Sequence, residues 1–120
     1  MIEGIRSLRP FLGSINYDNS RKFYKTIGFT EVILSDKMCV FSKDLFYFYL
    51  QDAYAKDWIE NTMVFLEVDD VESAYTELVQ LDLLKTFPNA QLKPIVELGW
   101  GKEFFLHDPS NILWHIGSFK

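Results

Sequence analysis

Laid on itself with a shift of 54 residues, the sequence sets Pro10-Phe11-Leu12 against Val64-Phe65-Leu66, Asn16 against Asp70, Tyr17 against Val71, Tyr24 against Leu78 and Ile27 against Leu81. Apolar positions meet apolar positions, and one helix-capping residue meets another. A repeat of this length constrains the fold more than any single motif, because whatever one half forms the other must form as well. Each half alone would leave one face of a short sheet exposed, so two halves, from one chain or from two, must join to bury it.

The content of a half follows from local signals. Leu8 to Ile15 reads as a strand, with Pro10 placing it at a sheet edge or beside a bulge. Asn16 and Asp18 offer N-cap oxygens to a helix that runs to Ile27 with Tyr17, Phe23, Tyr24 and Ile27 on its apolar side, and Gly28 ends it. Three β-rich runs follow, Phe29 to Ser35, Met38 to Ser42 and Leu45 to Gln51, separated by turn residues. The stretch from Asp52 to Asn61 is the linker, and Tyr54 and Trp58 at i,i+4 spacing predict a short helical turn that lays two aromatics over something apolar. Thr62 to Val68 is the next strand. Asp69-Asp70 then caps a helix carrying Val71, Ala74, Tyr75, Leu78 and Leu81 at helical period. After a loop through Pro88 and Asn89, strands are expected at Leu92 to Leu98, Lys102 to His107 and Ile112 to Gly117, the last two joined by Asp108-Pro109-Ser110-Asn111. The expectation is an α+β fold in one domain, 1–120, built of two βαβββ halves, 8–52 and 62–119.

Composition narrows the function. Eleven Phe, six Tyr and three Trp exceed what a core of this size usually holds, so part of that surface is expected at a cavity or a subunit interface; the alternative is that it is all core. A net charge of −5 argues against nucleic acid and anionic membrane as partners and mildly favours cationic ligands. Met1-Ile2-Glu3-Gly4 lacks the basic start and apolar run of a secretory signal, and no apolar stretch reaches the ~20 residues that span a bilayer, so a cytoplasmic location is expected. Cys39, the only cysteine, lies in Met38-Cys39-Val40-Phe41 and reads as a small buried residue rather than a nucleophile.

Three stretches, in order and spacing, resemble the vicinal oxygen chelate superfamily of glyoxalases, extradiol dioxygenases and fosfomycin- and bleomycin-resistance proteins. They are Ser20-Arg21-Lys22-Phe23-Tyr24-Lys25-Thr26-Ile27-Gly28-Phe29, Leu66-Glu67-Val68-Asp69-Asp70-Val71 and Trp100-Gly101-Lys102-Glu103-Phe104-Phe105-Leu106-His107-Asp108-Pro109. The resemblance covers Leu8 to Phe119, and Leu98-Gly99-Trp100-Gly101 looks most like the bleomycin-resistance branch. It implies the glyoxalase/bleomycin-resistance fold, a cupped mixed sheet completed in a homodimer with ligand clefts between subunits. Enzymes of the superfamily hold a divalent metal with His or Glu from the first strand of each half and from the last strand. Those slots fall here on Arg9, Met63 and His115. A guanidinium adds positive charge to that of the metal and a thioether is a poor ligand for hard divalent ions, so no metal cofactor is expected.

Strand alternation places Arg9, Phe11, Gly13, Met63, Phe65, Glu67, Leu113 and His115 on the face of those slots, and pairing across the Asp108 to Asn111 turn adds Glu103, Phe105 and His107. Trp100, between two glycines, can either cover the mouth of the cavity or plug the sheet; Trp114, alternating with Ile112 and Ile116, is expected beneath a helix. The candidate ligand-binding set is Arg9, Phe11, Met63, Phe65, Glu67, Trp100, Glu103, Phe105, His107 and His115. Arg9 either receives an anionic group or pairs internally with Glu67 or Glu103, and His107 and His115 are expected to hydrogen-bond in a polar corner. Three functions fit. The first is metal-independent sequestration of a cationic, aromatic small molecule such as a bleomycin-type antibiotic. The second is a metal-dependent lyase, isomerase or dioxygenase, which requires His107, His115 and a glutamate to converge. The third is a dimeric scaffold with a filled cavity.

Overall fold

The computed structural model describes residues 2–120. The first half runs β1 (Phe11–Leu12), α1 (Tyr17–Thr26), β2 (Thr30–Ser35), β3 (Met38–Lys43) and β4 (Phe46–Gln51). Helix α1 starts where the sequence places it: Asn16 is extended and its side-chain oxygen accepts the Asn19 N–H at 3.0 Å. It stops at Ile27, and Gly28 leaves with φ of +113°, an angle a side chain would oppose. The sheet order is β1-β4-β3-β2, with β1 parallel to β4 and the others antiparallel. β1 is shorter than the expected Leu8 to Ile15. Pro10 lends its carbonyl to Tyr49 N–H at 2.9 Å but has no N–H to return, and Ser14 N–H turns instead to the carbonyl of Ala53. The strand does lie at the sheet edge, as a proline requires.

The linker holds a short helix, α2 (Lys56–Glu60), but its aromatics are not the residues that pack. Tyr54 and Trp58 are exposed, and Ile59 is fully buried. Ile59 reaches the core because Gly13 has no side chain: a Cβ there would lie 2.9 Å from Ile59 Cδ1.

The second half runs β5 (Met63–Glu67), α3 (Val71–Gln80), α4 (Leu83–Thr86), β6 (Gln91–Leu92), β7 (Val96–Leu98), β8 (Gly101–His107) and β9 (Leu113–Phe119). Asp70 caps α3 by accepting the Ser73 N–H at 3.1 Å. Two features depart from expectation. A further helical turn, α4, buries Leu83 after Asp82 takes a left-handed backbone, and the strand expected at Leu92 to Leu98 is two strands. Pro94 lies between them and cannot donate to a ladder, so β6 and β7 each pair separately with β8. β5 is parallel to β9, and the order β5-β9-β8 repeats β1-β4-β3 in sequence and direction. The repeat read from the sequence is therefore a structural one.

Among the described residues no ladder joins the two sheets; they turn their inner faces onto one core. Trp114 of β9 is the link, with its ring centroid 5.4 Å from Phe48 of β4, 5.7 Å from Tyr24 of α1 and 5.8 Å from Phe29. Eight of the twenty aromatic residues are buried in this core. Beneath it lies a buried polar knot: Tyr24 O–H donates to Asp108 Oδ2 at 2.5 Å and accepts Trp114 Nε1–H at 3.0 Å. Asp108 Oδ1 accepts the N–H groups of Ser110 and Ile112 at 2.8 and 2.9 Å. Asn111 completes the turn at φ +71°. Ser110 Oγ then accepts the Ile15 N–H at 2.8 Å, tying the last hairpin to the chain just before α1. Cys39 is fully buried. β2 is the outer edge of its sheet and leaves Val32, Ile33 and Leu34 exposed. No described helix is long and apolar enough to cross a membrane.

Candidate functional site

With the inner faces committed to the core, the outward faces carry the candidate residues. On the second sheet the register sets Phe65, His115 and Phe105 side by side on β5, β9 and β8, with Met63, Leu113 and His107 in the next row and Glu67, Gly117 and Glu103 on the other side. Val64, Leu66, Trp114 and Leu106 alternate with them and face inward. The pairing inferred across the Asp108 to Asn111 turn holds without a slip.

His115 sits at the centre. Its ring lies edge-on to Phe105 at 4.8 Å and roughly parallel to Phe65 at 6.3 Å. Nδ1 is 3.4 and 3.5 Å from the two oxygens of Glu103, and Nε2 is 3.4 Å from Met63 Sδ. Glu103 is only 8% exposed, and this imidazole is its one polar side-chain neighbour among the described residues. At the end of the sheet Trp100 meets Phe65 at 5.9 Å and Phe119 at 5.4 Å, and Phe65 stacks on Phe119 at 5.5 Å. All three rings stay open to solvent, Trp100 at 39%, Phe65 at 44% and Phe119 at 57%. Trp100 thus stands open at the end of the sheet and does not plug it.

Phe119 is absent from the sequence-derived set because the last strand was expected to end at Gly117. The period of two through Leu113, His115 and Gly117 was the signal that reaches it. Gly117 makes the platform possible, since a Cβ there would lie 2.7 Å from the carbonyl oxygen of Lys102 and 3.2 Å from Phe65 Cζ. Gly117→Ala should therefore destabilise the fold by about 1–3 kcal/mol and tilt Phe65 out of its stack, seen as a lowered urea midpoint together with a change in near-ultraviolet circular dichroism.

His107 lies on the same face but forms no corner with His115. Its Nδ1 is buried without a partner, and burial, then the charge of Lys93, hold its pKa below the usual histidine range. Arg9 and Phe11 belong to the other sheet. The Arg9 guanidinium lies 4.0 Å over the ring of Tyr47, donates from Nη1 to the Tyr49 hydroxyl at 3.3 Å and from Nε to Ser7 Oγ at 3.2 Å. Phe11 stacks on Tyr49 at 4.5 Å. The internal ion pair with Glu67 or Glu103 does not form. Tyr47 and Tyr49 escaped the sequence reasoning, although the run Phe46-Tyr47-Phe48-Tyr49 alternates two aromatic faces that only the register could assign.

A separate apolar cleft of about 420 Å³ opens where the two sheets approach, walled by Leu8, Pro10, Leu12, Phe46, Val64 and Leu66 among others. Of the ten candidate residues only Phe65 reaches it.

At the three slots that the resemblance assigns to a metal stand a guanidinium, a thioether and one imidazole. Arg9 lies on one sheet over tyrosines, while Met63 and His115 lie on the other, and among the described residues no three of His, Cys, Asp or Glu come together as a metal set. His107, His115 and a glutamate do not converge. The residues present do not fit the metal.

No family model matches the sequence, and no curated protein matches it by sequence. Solved structures do match. The chain is similar to the bleomycin-binding protein of bleomycin-producing Streptomyces verticillus, solved with copper(II)-bleomycin, at a TM-score of 0.82 and 18% identity over 100% of both chains. It is similar to the bleomycin resistance determinant encoded on transposon Tn5, at 0.77 and 18% identity over 95% of this chain and 98% of the other. A lactoylglutathione lyase from Agrobacterium tumefaciens matches at 0.73 and 16% identity over 98% of this chain and 94% of the other. The fold is thus the one shared by these bleomycin-binding and lactoylglutathione lyase structures, as the sequence resemblance implied.

Proposed function

We propose that the chain is a metal-independent small-molecule binding protein that sequesters a planar, cationic compound of the bleomycin type, with a second copy closing its outward sheet faces into clefts. The observation that carries this reading is the half-open platform of Phe65, Trp100 and Phe119 beside the buried Glu103 and its half-buried partner His115. Flat rings supply contact area, and the carboxylate supplies a counter-charge in a chain of net charge −5. Two of the similar structures hold bleomycin, and that likeness of fold supports the reading.

Thermal unfolding of the full chain tests it. A bleomycin-type glycopeptide at 100 times its dissociation constant should add ~2.7 kcal/mol, on the order of 10 °C for a chain this long, while Zn²⁺, Ni²⁺, Mn²⁺ and a chelator leave the midpoint unmoved. A metal-dependent shift that His115→Ala abolishes would overturn the reading in favour of an enzyme. No shift with any ligand would favour the scaffold with a filled cavity.

A further inference from the structure

We infer that the ligand also carries an anionic group, a carboxylate or similar oxyanion on a planar ring, and that Arg9 reads it; this rests on the small-molecule reading above. The outward face of the first sheet is chemically unlike that of the second. Beside its edge strand lies the Arg9 guanidinium, half-buried, 4.0 Å from the centre of the Tyr47 ring and held by hydrogen bonds to two neutral oxygens, those of Tyr49 and Ser7. Among the described residues Arg9 makes no salt bridge, and the register puts no Asp or Glu at an outward position of β1, β3 or β4. In a chain with seventeen acidic and twelve basic residues, a partly desolvated cation left unmatched by any carboxylate stands out.

The chemistry follows from how the guanidinium is held. Nε donates to Ser7 and Nη1 to Tyr49, which leaves both Nη2 hydrogens without a partner among the described residues and free to donate to an oxyanion. Stacking on Tyr47 removes much of the side-chain freedom that ion pairing would otherwise cost. Phe11, 47% exposed and stacked on Tyr49, provides a flat wall beside that edge for a ring.

Binding of naphthalene-1-acetate and its neutral isostere naphthalene-1-acetamide to the full chain, by calorimetry at 0.15 M salt, tests the assignment. The acid should bind about tenfold or more tightly than the amide. Arg9→Gln should erase that preference while amide binding persists, and Arg9→Lys should keep part of it. Lys22→Gln, which removes an exposed cation on α1, should leave the preference intact and so separate a local charge from the net one. Equal binding of both probes to the unaltered chain would overturn the anion assignment alone and would mean that protein carboxylates, such as those of a second copy, already satisfy Arg9. Binding of neither would overturn this assignment, while the small-molecule reading stands or falls separately on the glycopeptide shift described above.

Discussion

Replacing Asp108 with alanine should lower the free energy of unfolding by about 3–5 kcal/mol at neutral pH, because three buried donors lose their acceptor at once. The N–H groups of Ser110 and Ile112 and the hydroxyl of Tyr24 all donate to this carboxylate, which is fully buried, and none donates to another described residue. Measured by urea denaturation, the loss would be a large part of the 5–15 kcal/mol typical of a folded domain. The same residue makes stability depend on pH. Burial, opposed by the hydrogen bonds from Tyr24, Ile112 and Ser110, raises its pKa from 3.8 to about 6. A pKa raised by folding means that the folded chain prefers the protonated acid. The contribution of this group is therefore fully present below pH 3.8 and lost as pH rises through about 6. Asp108→Asn does not titrate, so the stability of the unaltered chain relative to that variant should rise by on the order of 3 kcal/mol between pH 8 and pH 4. Parallel pH profiles for the two proteins would show that the carboxyl is not perturbed.

Trp114→Ala should cost a comparable 3–5 kcal/mol, for an apolar reason. The indole fills the space where Phe29, Phe48 and Tyr24 from the first half meet β9 from the second, and its N–H completes the bond to the Tyr24 hydroxyl. Its removal leaves a cavity at the joint between halves, so neither sheet can close over it without moving the other. Trp100→Ala, on the open platform, should cost well under half as much, since little of its contact area is lost from the core. Urea midpoints of the two variants side by side check the contrast, and near-equal losses would contradict the division between core and platform.

That division was only partly legible in the sequence. Trp114 could be assigned to the core because its neighbours Ile112 and Ile116 are apolar at a period of two, and the caps Asn16 and Asp70 could be placed because their chemistry is local. The breaks were legible in principle: Pro94 divides a strand for the same reason that Pro10 shortens one. Three things were hidden. Tyr54 and Trp58 have the spacing to pack, yet Ile59 takes the place because Gly13 opens a slot from a distant part of the chain. The helical turn at Leu83 has too few residues to show a period. Arg9 depends on which sheet its strand joins, and its tyrosines come from β4, so its neighbours could not be deduced from the residues beside it. The second sheet's candidates do come together around His115, whereas Arg9 and Phe11 stand apart with Tyr49.

The outer position of β2 bears on how the protein behaves when concentrated or refolded. Thr-Glu-Val-Ile-Leu-Ser is a β-branched, proline-free run whose free side presents unpaired peptide groups and three exposed aliphatic side chains. Glu31 is the only charge within the strand, and the Arg21 guanidinium already engages both of its oxygens, so it does little to repel an approaching copy. A strand like this invites edge-to-edge growth in any partly folded population, and dilute refolding at pH values well above the acidic isoelectric point, where the net negative charge keeps molecules apart, works against it.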